Sequence, residues 1–184
     1  MRRILDGIYA SALMAACVAM GTIAALVLAQ ILGRLVDRGL MLAGATPLGL
    51  TIPSLSDFGG FLFVAVATLA LPATFRSGGH IRVTLLLRVG GARTGRAMAA
   101  FALLTGLAMG GFAAWYSGLQ VWDSWRFNSV SFGMVRVPLW IPQGVMTLGF
   151  ALLVLALLDD LITLLRGQTP AFRQAEANRS EGGH

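Results

Sequence analysis

Four long apolar stretches alternate with shorter polar segments along this chain. They cover about residues 8–32, 58–75, 97–121 and 137–158, the last one reaching 165 if the turn beyond two aspartates is included. At a rise of 1.5 Å per residue, about 18 to 25 helical residues match a hydrocarbon core of about 30 Å. The stretches are apolar on all sides, whereas helices of a soluble bundle carry a polar face. The pattern therefore predicts an all-α integral membrane protein with four transmembrane helices.

The composition agrees with this prediction. Hydrophobic residues make up 57% of the chain, charged residues make up 12%, and the mean hydropathy is +0.77. A soluble domain of this composition would be coated in apolar surface. A net charge of +6 would suggest nucleic acid as the partner of a soluble protein, but arginines beside a membrane favour anionic lipid head groups. We expect anionic lipids, and no nucleic acid, among the partners.

The basic residues predict an orientation in the membrane. All fourteen are arginine; ten lie in the N-terminus, in the segment between spans two and three and in the C-terminal tail, and four lie in the other two loops. Under the positive-inside rule both termini and the central segment are cytoplasmic. Four tryptophans near the opposite ends of spans three and four are typical of an interfacial belt. These are Trp115, Trp122, Trp125 and Trp140.

The third span carries small residues at a spacing of four, which forms a smooth ridge on one side of a helix. The ridge consists of Ala102, Gly106, Gly110 and Ala114. Small residues at this spacing allow close helix packing in membranes. Two interpretations are open: packing among the four helices of this chain, and docking onto a different membrane subunit.

The residues needed for catalysis or for a transport pathway are missing from the spans. Their interiors lack charged side chains, and the chain has only two histidines, one cysteine and no lysine. Both histidines, His80 and His184, lie in polar segments and provide no intramembrane pair for haem, while one cysteine gives no Cys-x-x-Cys pair and the lack of lysine gives no phosphate-binding loop. We expect no enzymatic activity and no catalytic, metal or cofactor site. A free-standing, self-associating four-helix transporter or channel is the alternative, but no span shows the polar stripe of a pore.

Residues 80–89 are apolar but too short to cross a bilayer. On a helical wheel His80, Thr84 and Arg88 follow one another at intervals of four and form a narrow polar stripe. Paired glycines flank the segment on both sides and supply turns. The pattern predicts an amphipathic interfacial helix between spans two and three.

Arg82 lies among the apolar residues of this segment, away from the polar stripe. Its side chain can extend to lipid phosphates. Alternatively it pairs with a carboxylate at the same depth, for which Asp159 and Asp160 at the end of span four are the candidates. We keep both interpretations as hypotheses.

The run Gly-His-Ile-Arg-Val at 79–83, directly after a second span, resembles the small membrane subunit of tripartite ATP-independent periplasmic (TRAP) transporters. Pro-Leu-Trp-Ile-Pro at 138–142 and Gly-Phe-Ala-Leu at 149–152 are similar to the fourth-helix pattern of the same family. The resemblance covers about residues 8–167. The loop 33–56 departs from it, because the family often has a shorter loop followed by a glutamate.

The resemblance implies partners and a division of labour. A large multispanning permease subunit would carry the sodium and substrate sites, and a periplasmic solute-binding protein would deliver an organic acid. This chain would then be a scaffold in the bacterial inner membrane. Asp57, at the position of the family glutamate, Trp140 in the fourth-helix motif, and His80, Arg82 and Arg88 are the candidate interfacial or partner contacts. Loop 122–136 is a candidate contact for the binding protein, and loop 33–56 is expected to be an ordinary loop.

We therefore expect two parts in the chain. Residues 1–167 would form the four-helix membrane domain. Residues 168–184, rich in polar residues and glycine, would form a disordered cytoplasmic tail.

Overall fold

The computed structural model describes residues 2–77 and 92–166. Within these two ranges the chain is helical apart from its loops, and a single isolated bridge is the only pairing of extended backbone. The helices are α1 (Arg2–Leu42), α2 (Leu55–Leu69), α3 (Leu71–Arg76), α4 (Ala92–Arg126) and α5 (Trp140–Leu165). The interfacial helix expected over 80–89 and the tail 168–184 lie outside the described residues.

Four helical segments are long and apolar enough to cross a membrane, which confirms the prediction of four spans. They are Leu5–Leu42, Leu55–Arg76, Gly95–Arg126 and Trp140–Leu165. The second consists of α2 and α3 together. Pro72, the second residue of α3, accounts for the break between them, because proline has no N–H and its ring crowds the carbonyl four residues before it.

The spans pack side by side in a row rather than as a closed bundle. The row runs α1, then α2 with α3, then α5, then α4, so that each outer helix has one main neighbour. We call the end that carries Arg2, Arg76 and Leu165 the terminal end. The opposite end, with residues 43–54 and 127–139, is the loop end.

Two hydrophobic clusters hold the row together. One joins Tyr9 of α1 to Phe75 of α3 and to residues of α4 and α5, among them Leu103 and Leu157. The other joins alanines of α1 to Leu69 of α2 and to Leu152 of α5. Both clusters lie where neighbouring helices of the row meet. The two broad surfaces of this single layer of helices, which we call the wide faces, contribute little to either cluster.

Helix α1 packs along one narrow seam. Of its residues from position 5 onward, those that are buried or half-buried recur at alternating intervals of four and three, and all the others are exposed. The seam consists of Leu5, Tyr9, Ala12, Ala16, Ala19, Ile23, Leu26, Gln30, Gly33, Asp37 and Leu40. A period of 3.5 residues keeps a seam facing one neighbouring element, as in a left-handed coiled coil.

Helix α1 also extends ten residues beyond the expected end of span one at Leu32, so residues 33–42 are helical rather than part of an ordinary loop. The sequence offers no proline until position 47, and single glycines only weaken a helix. The helix ends at Leu42, and Gly44 just beyond it has a φ of 74°, in the left-handed region. The Ala45 N–H donates to the Leu40 carbonyl at 2.9 Å, and the Gly44 N–H donates to the Met41 carbonyl at 3.1 Å. These are the two hydrogen bonds of a Schellman motif.

Candidate partner-binding surface

The row exposes most of the span surface. In the most apolar window of each span only 17% to 33% of the residues are buried within the chain. In a membrane, exposed apolar surface contacts either lipid tails or another membrane protein. Both wide faces of the row, and the outer sides of α1 and α4, are therefore available to a membrane partner.

Part of the predicted small-residue ridge lies inside the row, between α4 and α5. A Cβ atom on Gly106 would be 3.3 Å from Leu157 Cδ2, and one on Gly110 would be 3.4 Å from Val154 Cγ2. Ala114 is half-buried, whereas Ala102 is exposed. Gly106 and Gly110 thus lie at a contact within the chain, and the Ala102 end of the ridge is open.

Helices α2 and α5 approach each other closely at Gly149. A Cβ atom there would lie 2.6 Å from both the Cβ and the carbonyl carbon of Thr68. The Thr68 hydroxyl donates to the Val64 carbonyl of its own helix at 2.8 Å, so it requires no partner on α5. Sequence reasoning noted Gly149 only within a family-like motif and missed this contact.

A polar cluster occupies the terminal end, where α1, α3 and α5 meet. The Arg76 guanidinium donates to the Asp6 carboxylate, with 2.5 Å between Nη1 and Oδ1. It also lies over the Tyr9 ring, 5.1 Å from the centroid. Arg76, Asp6, Asp159 and Asp160 all act electrostatically on the buried Tyr9 hydroxyl. We call these five residues the terminal-end cluster.

Asp159 and Asp160, the carboxylates proposed as partners of Arg82, belong to this cluster. Asp160 is 1% exposed and Asp159 is half-buried. His80, Arg82 and Arg88 themselves lie outside the described residues, and the Arg82 pairing stays a prediction. Sequence reasoning missed Asp6, Tyr9 and Arg76. The available signal was a set of charged residues at the same ends of successive spans.

At the loop end, side chains of α1 bind the backbone of the following segment. The Asp37 carboxylate accepts from the N–H groups of Leu48 at 2.9 Å and Leu50 at 3.0 Å. Gln30 Oε1 accepts from the Ile52 N–H at 2.7 Å. These bonds hold residues 48–52 along the extension of α1. The segment thus covers the part of the α1 seam that α2 does not reach.

A hairpin covers residues 127–139 at the same end. The Ser131 N–H donates to the Val137 carbonyl at 2.9 Å, and the Leu139 N–H donates to the Ser129 carbonyl at 3.0 Å. Because of these bonds the chain folds back on itself between α4 and α5. We call this segment the loop-end hairpin.

The hairpin lies against the first turn of α2. The Val135 N–H donates to Ser54 Oγ at 3.0 Å. The half-buried Asp57 carboxylate lies so close to Gly133 that a methyl group there would collide with it. Asp57, expected from the sequence to be a partner contact, is thus engaged within the chain.

The tryptophans only partly form the expected belt. Trp122 and Trp125 have ring centroids 5.6 Å apart near the end of α4, and Trp140 begins α5 and is exposed. Trp115 lies eleven residues before Arg126, about 16 Å further along the helix axis. Three of the four tryptophans therefore mark the loop end, and Trp115 lies deeper.

Comparison with known protein families gives one match. Residues 23–167 match the family model described as tripartite ATP-independent periplasmic transporters, DctQ component. The match includes α2 to α5, the loop-end hairpin, Arg76, Asp159 and Asp160, but begins after Asp6 and Tyr9. No match was found among curated proteins.

Proposed function

The chain belongs to the DctQ component family of TRAP transporters, and we propose that it is the small, non-catalytic membrane subunit that scaffolds the large permease subunit. It is a multi-pass membrane protein with four apolar helices. In this proposal it lies in the bacterial inner membrane. The large subunit carries the sodium and substrate sites for uptake of an organic-acid-type solute.

The open row of helices is the observation that carries the scaffold role. A closed bundle turns its best packing surfaces inward, whereas this row leaves two wide faces and both outer helices available. A close contact at Gly149 joins the two central helices, α2 and α5, and one at Gly110 joins α4 to α5. A row held in this way can present a broad apolar surface to a large membrane partner.

The positions of the charges support a role without a transport pathway of its own. In residues 5–77 and 95–166, acidic and basic side chains lie toward the ends of the row, as in the terminal-end cluster. Ion-coupled pathways place such groups within the membrane, where the ion must pass. We therefore assign the ion and solute sites to the large subunit.

The extension of α1 is the surface that we assign to docking of the periplasmic binding protein. Residues 33–42 extend about 15 Å beyond the point where α2 begins. Arg34, Asp37 and Arg38 would each cost about 3 kcal/mol at the centre of a bilayer, so the extension belongs outside it. Exposed leucines lie beside the exposed arginines, and Leu42 is 88% exposed. Such a mixed apolar and basic surface suits a soluble protein partner.

The test is co-purification from native membranes in mild detergent with an affinity tag on this chain. We expect one large multispanning subunit at equal stoichiometry. Recovery of this chain alone, as a stable homo-oligomer, would contradict the scaffold role and favour the self-associating transporter or channel. Adding the exported binding protein to the purified complex tests docking separately, and Leu35→Ser combined with Arg38→Glu, at exposed positions of the extension, is expected to weaken that binding without loss of the large subunit.

A further inference from the structure

We propose that the loop-end hairpin is a membrane-interface anchor, which inserts Phe132 and Met134 into the lipid leaflet on the loop side. The proposal needs only that the chain spans a membrane, so it stands or falls independently of the scaffold role. It assigns to 127–139 a lipid partner, whereas the sequence suggested a soluble protein for this loop.

The depth of the hairpin carries the argument. The span Leu55–Arg76 has 22 residues, about 33 Å of helix, which is close to the thickness of the hydrocarbon core. The first turn of α2 therefore lies at the boundary between head groups and acyl chains. The hairpin is bound laterally to this turn by the hydrogen bond from Val135 to Ser54, and Gly133 lies close to the Asp57 carboxylate. Its tip thus lies at the level of the lipid interface rather than above the membrane.

The side chains at this level suit an interface. Phe132 is fully exposed, Met134 is 88% exposed, and Phe127 is also exposed. Trp122 and Trp125 continue the aromatic surface along the end of α4. Aromatic residues with one polar end concentrate where head groups meet acyl chains, and large apolar side chains gain by leaving water there.

Two arginines flank the apolar tip. The guanidinium of Arg126 lies 5.8 Å from the centroid of the Phe127 ring, and Arg136 is exposed on the other side of the hairpin. Arginine stems can lie along apolar surface while their charges reach lipid phosphates. The apolar tip therefore suits the acyl-chain layer of the lipid interface, and the two arginines suit the phosphate layer beside it.

Several backbone N–H groups of the hairpin already have hydrogen-bond acceptors within the chain. An N–H group that enters an apolar layer without a hydrogen bond is costly. The N–H groups of Ser129, Ser131 and Leu139 donate to backbone carbonyls, and those of Val135 and Val137 donate to serine hydroxyls. These bonds satisfy N–H groups on both sides of the tip formed by residues 132–134.

The functional consequence is a fixed depth for the row. The hairpin connects α4 to α5 and contacts α2, so a lipid anchor at its tip restrains three of the four spans against vertical displacement. The extension of α1 has exposed leucines too, but it rises beyond α2 and is not attached to the interface level in this way. The two surfaces therefore serve as a matched pair for a test.

The experiment measures the depth of nitroxide labels on the full chain in vesicles of phosphatidylethanolamine and phosphatidylglycerol. The background is Cys17→Ala, which removes the sole cysteine, an exposed residue. Labels are placed through Phe132→Cys, Met134→Cys and, as the control, Leu42→Cys, whose native side chain is as exposed as that of Met134. Collision rates with oxygen, which concentrates in lipid, are compared with those of a water-soluble nickel chelate.

We expect labels at 132 and 134 to collide mainly with oxygen, and the label at 42 to collide mainly with nickel. Equal nickel access at all three positions would overturn the proposal. Nickel access at 132 and 134 that disappears when the binding protein is added would also overturn it, in favour of a docking surface for protein. Because the native side chains at these positions are exposed, the labels are not expected to disturb folding, and retention of the helical spectrum checks this.

Discussion

Gly149 of α5 lies directly against Thr68 of α2. A Cβ atom at position 149 would be 2.6 Å from Thr68 Cβ and 2.7 Å from its carbonyl oxygen, which is far inside van der Waals contact. Part of the opposing surface is backbone, so it cannot move aside as the end of a flexible side chain can. This contact sets how closely the two central helices of the row approach.

Replacing Gly149 is therefore expected to force α2 and α5 apart. Overpacking of a close contact costs typically about 1–3 kcal/mol, so Gly149→Ala should lower the thermal unfolding midpoint of the detergent-solubilised chain. Gly144→Ala is the control, because a Cβ atom at this other α5 position meets nothing within 4 Å. Equal unfolding midpoints for the two variants would contradict the prediction.

Substitutions at Gly110 and Gly111 distinguish packing within the chain from docking of a partner at the small-residue ridge. Its Cβ position faces Val154 on α5, whereas that of Gly111 faces open space. Gly110→Leu should destabilise the isolated chain by about 1–3 kcal/mol, and Gly111→Leu should leave its stability close to that of the natural chain. The readout is thermal unfolding without the large subunit. If only co-purification of the large subunit changed, Gly110 would belong to a docking surface instead.

Asp37 is expected to control local order at 48–52. Its carboxylate accepts the two N–H groups of Leu48 and Leu50. Asp37→Ala removes both bonds, and because Asp37 is only half-buried we expect a loss of about 1 kcal/mol, roughly a fivefold faster amide exchange. Hydrogen–deuterium exchange of 48–52 measures the effect. Asp123→Ala, at an exposed acidic residue, is the control, and unchanged protection in Asp37→Ala would show that the extension orders the segment by other contacts.

Arg76 should matter more than its partner Asp6. The Asp6 side chain is 55% exposed, so Asp6→Ala is expected to cost only about 0.2–1 kcal/mol, and less at high salt. Arg76→Ala also removes the guanidinium from the face of the Tyr9 ring, where it lies 5.1 Å from the centroid. Thermal unfolding at low and high salt compares the two variants. Equal costs at both salt concentrations would refute this account of the terminal-end cluster.

The hypothesis that Arg82 pairs with Asp159 or Asp160 makes a double-mutant prediction. A pair of this kind is a charge-assisted hydrogen bond, which is lost when either partner is removed. Arg82→Ala should therefore impair assembly and transport, and adding Asp159→Asn or Asp160→Asn should cause little further loss when the added change is at the partner. Arg88→Ala is the control within the same segment. Unchanged assembly and transport in Arg82→Ala would exclude the pair.

Some sites could be anticipated from the sequence and others could not. Gly106 and Gly110 were recognisable because small residues at a spacing of four form a ridge on any helix. Nothing in the sequence distinguished the α1 seam, since its alanines and leucines are no more apolar than those on the exposed faces. Asp37 and Asp57 were visible as acidic residues near span ends, but their partners, the N–H groups of 48–50 and Gly133, are contacts made only in the fold.

The four spans, the membrane location and the resemblance to a transporter family could be inferred from the amino-acid sequence alone. These follow from the length and apolar character of local segments, which match the bilayer whatever the neighbouring helices are. The order of the helices in the row, the Gly149 contact, the extension of α1 with its bound segment and the hairpin on α2 are features of the folded chain that the sequence did not predict. Lipid tails are as apolar as the side chains of the spans, so moving an apolar face from lipid into a helix contact gains no hydrophobic free energy. Hydrophobicity therefore does not select which face packs. That choice depends on close fit between residues far apart in the chain, such as Thr68 and Gly149.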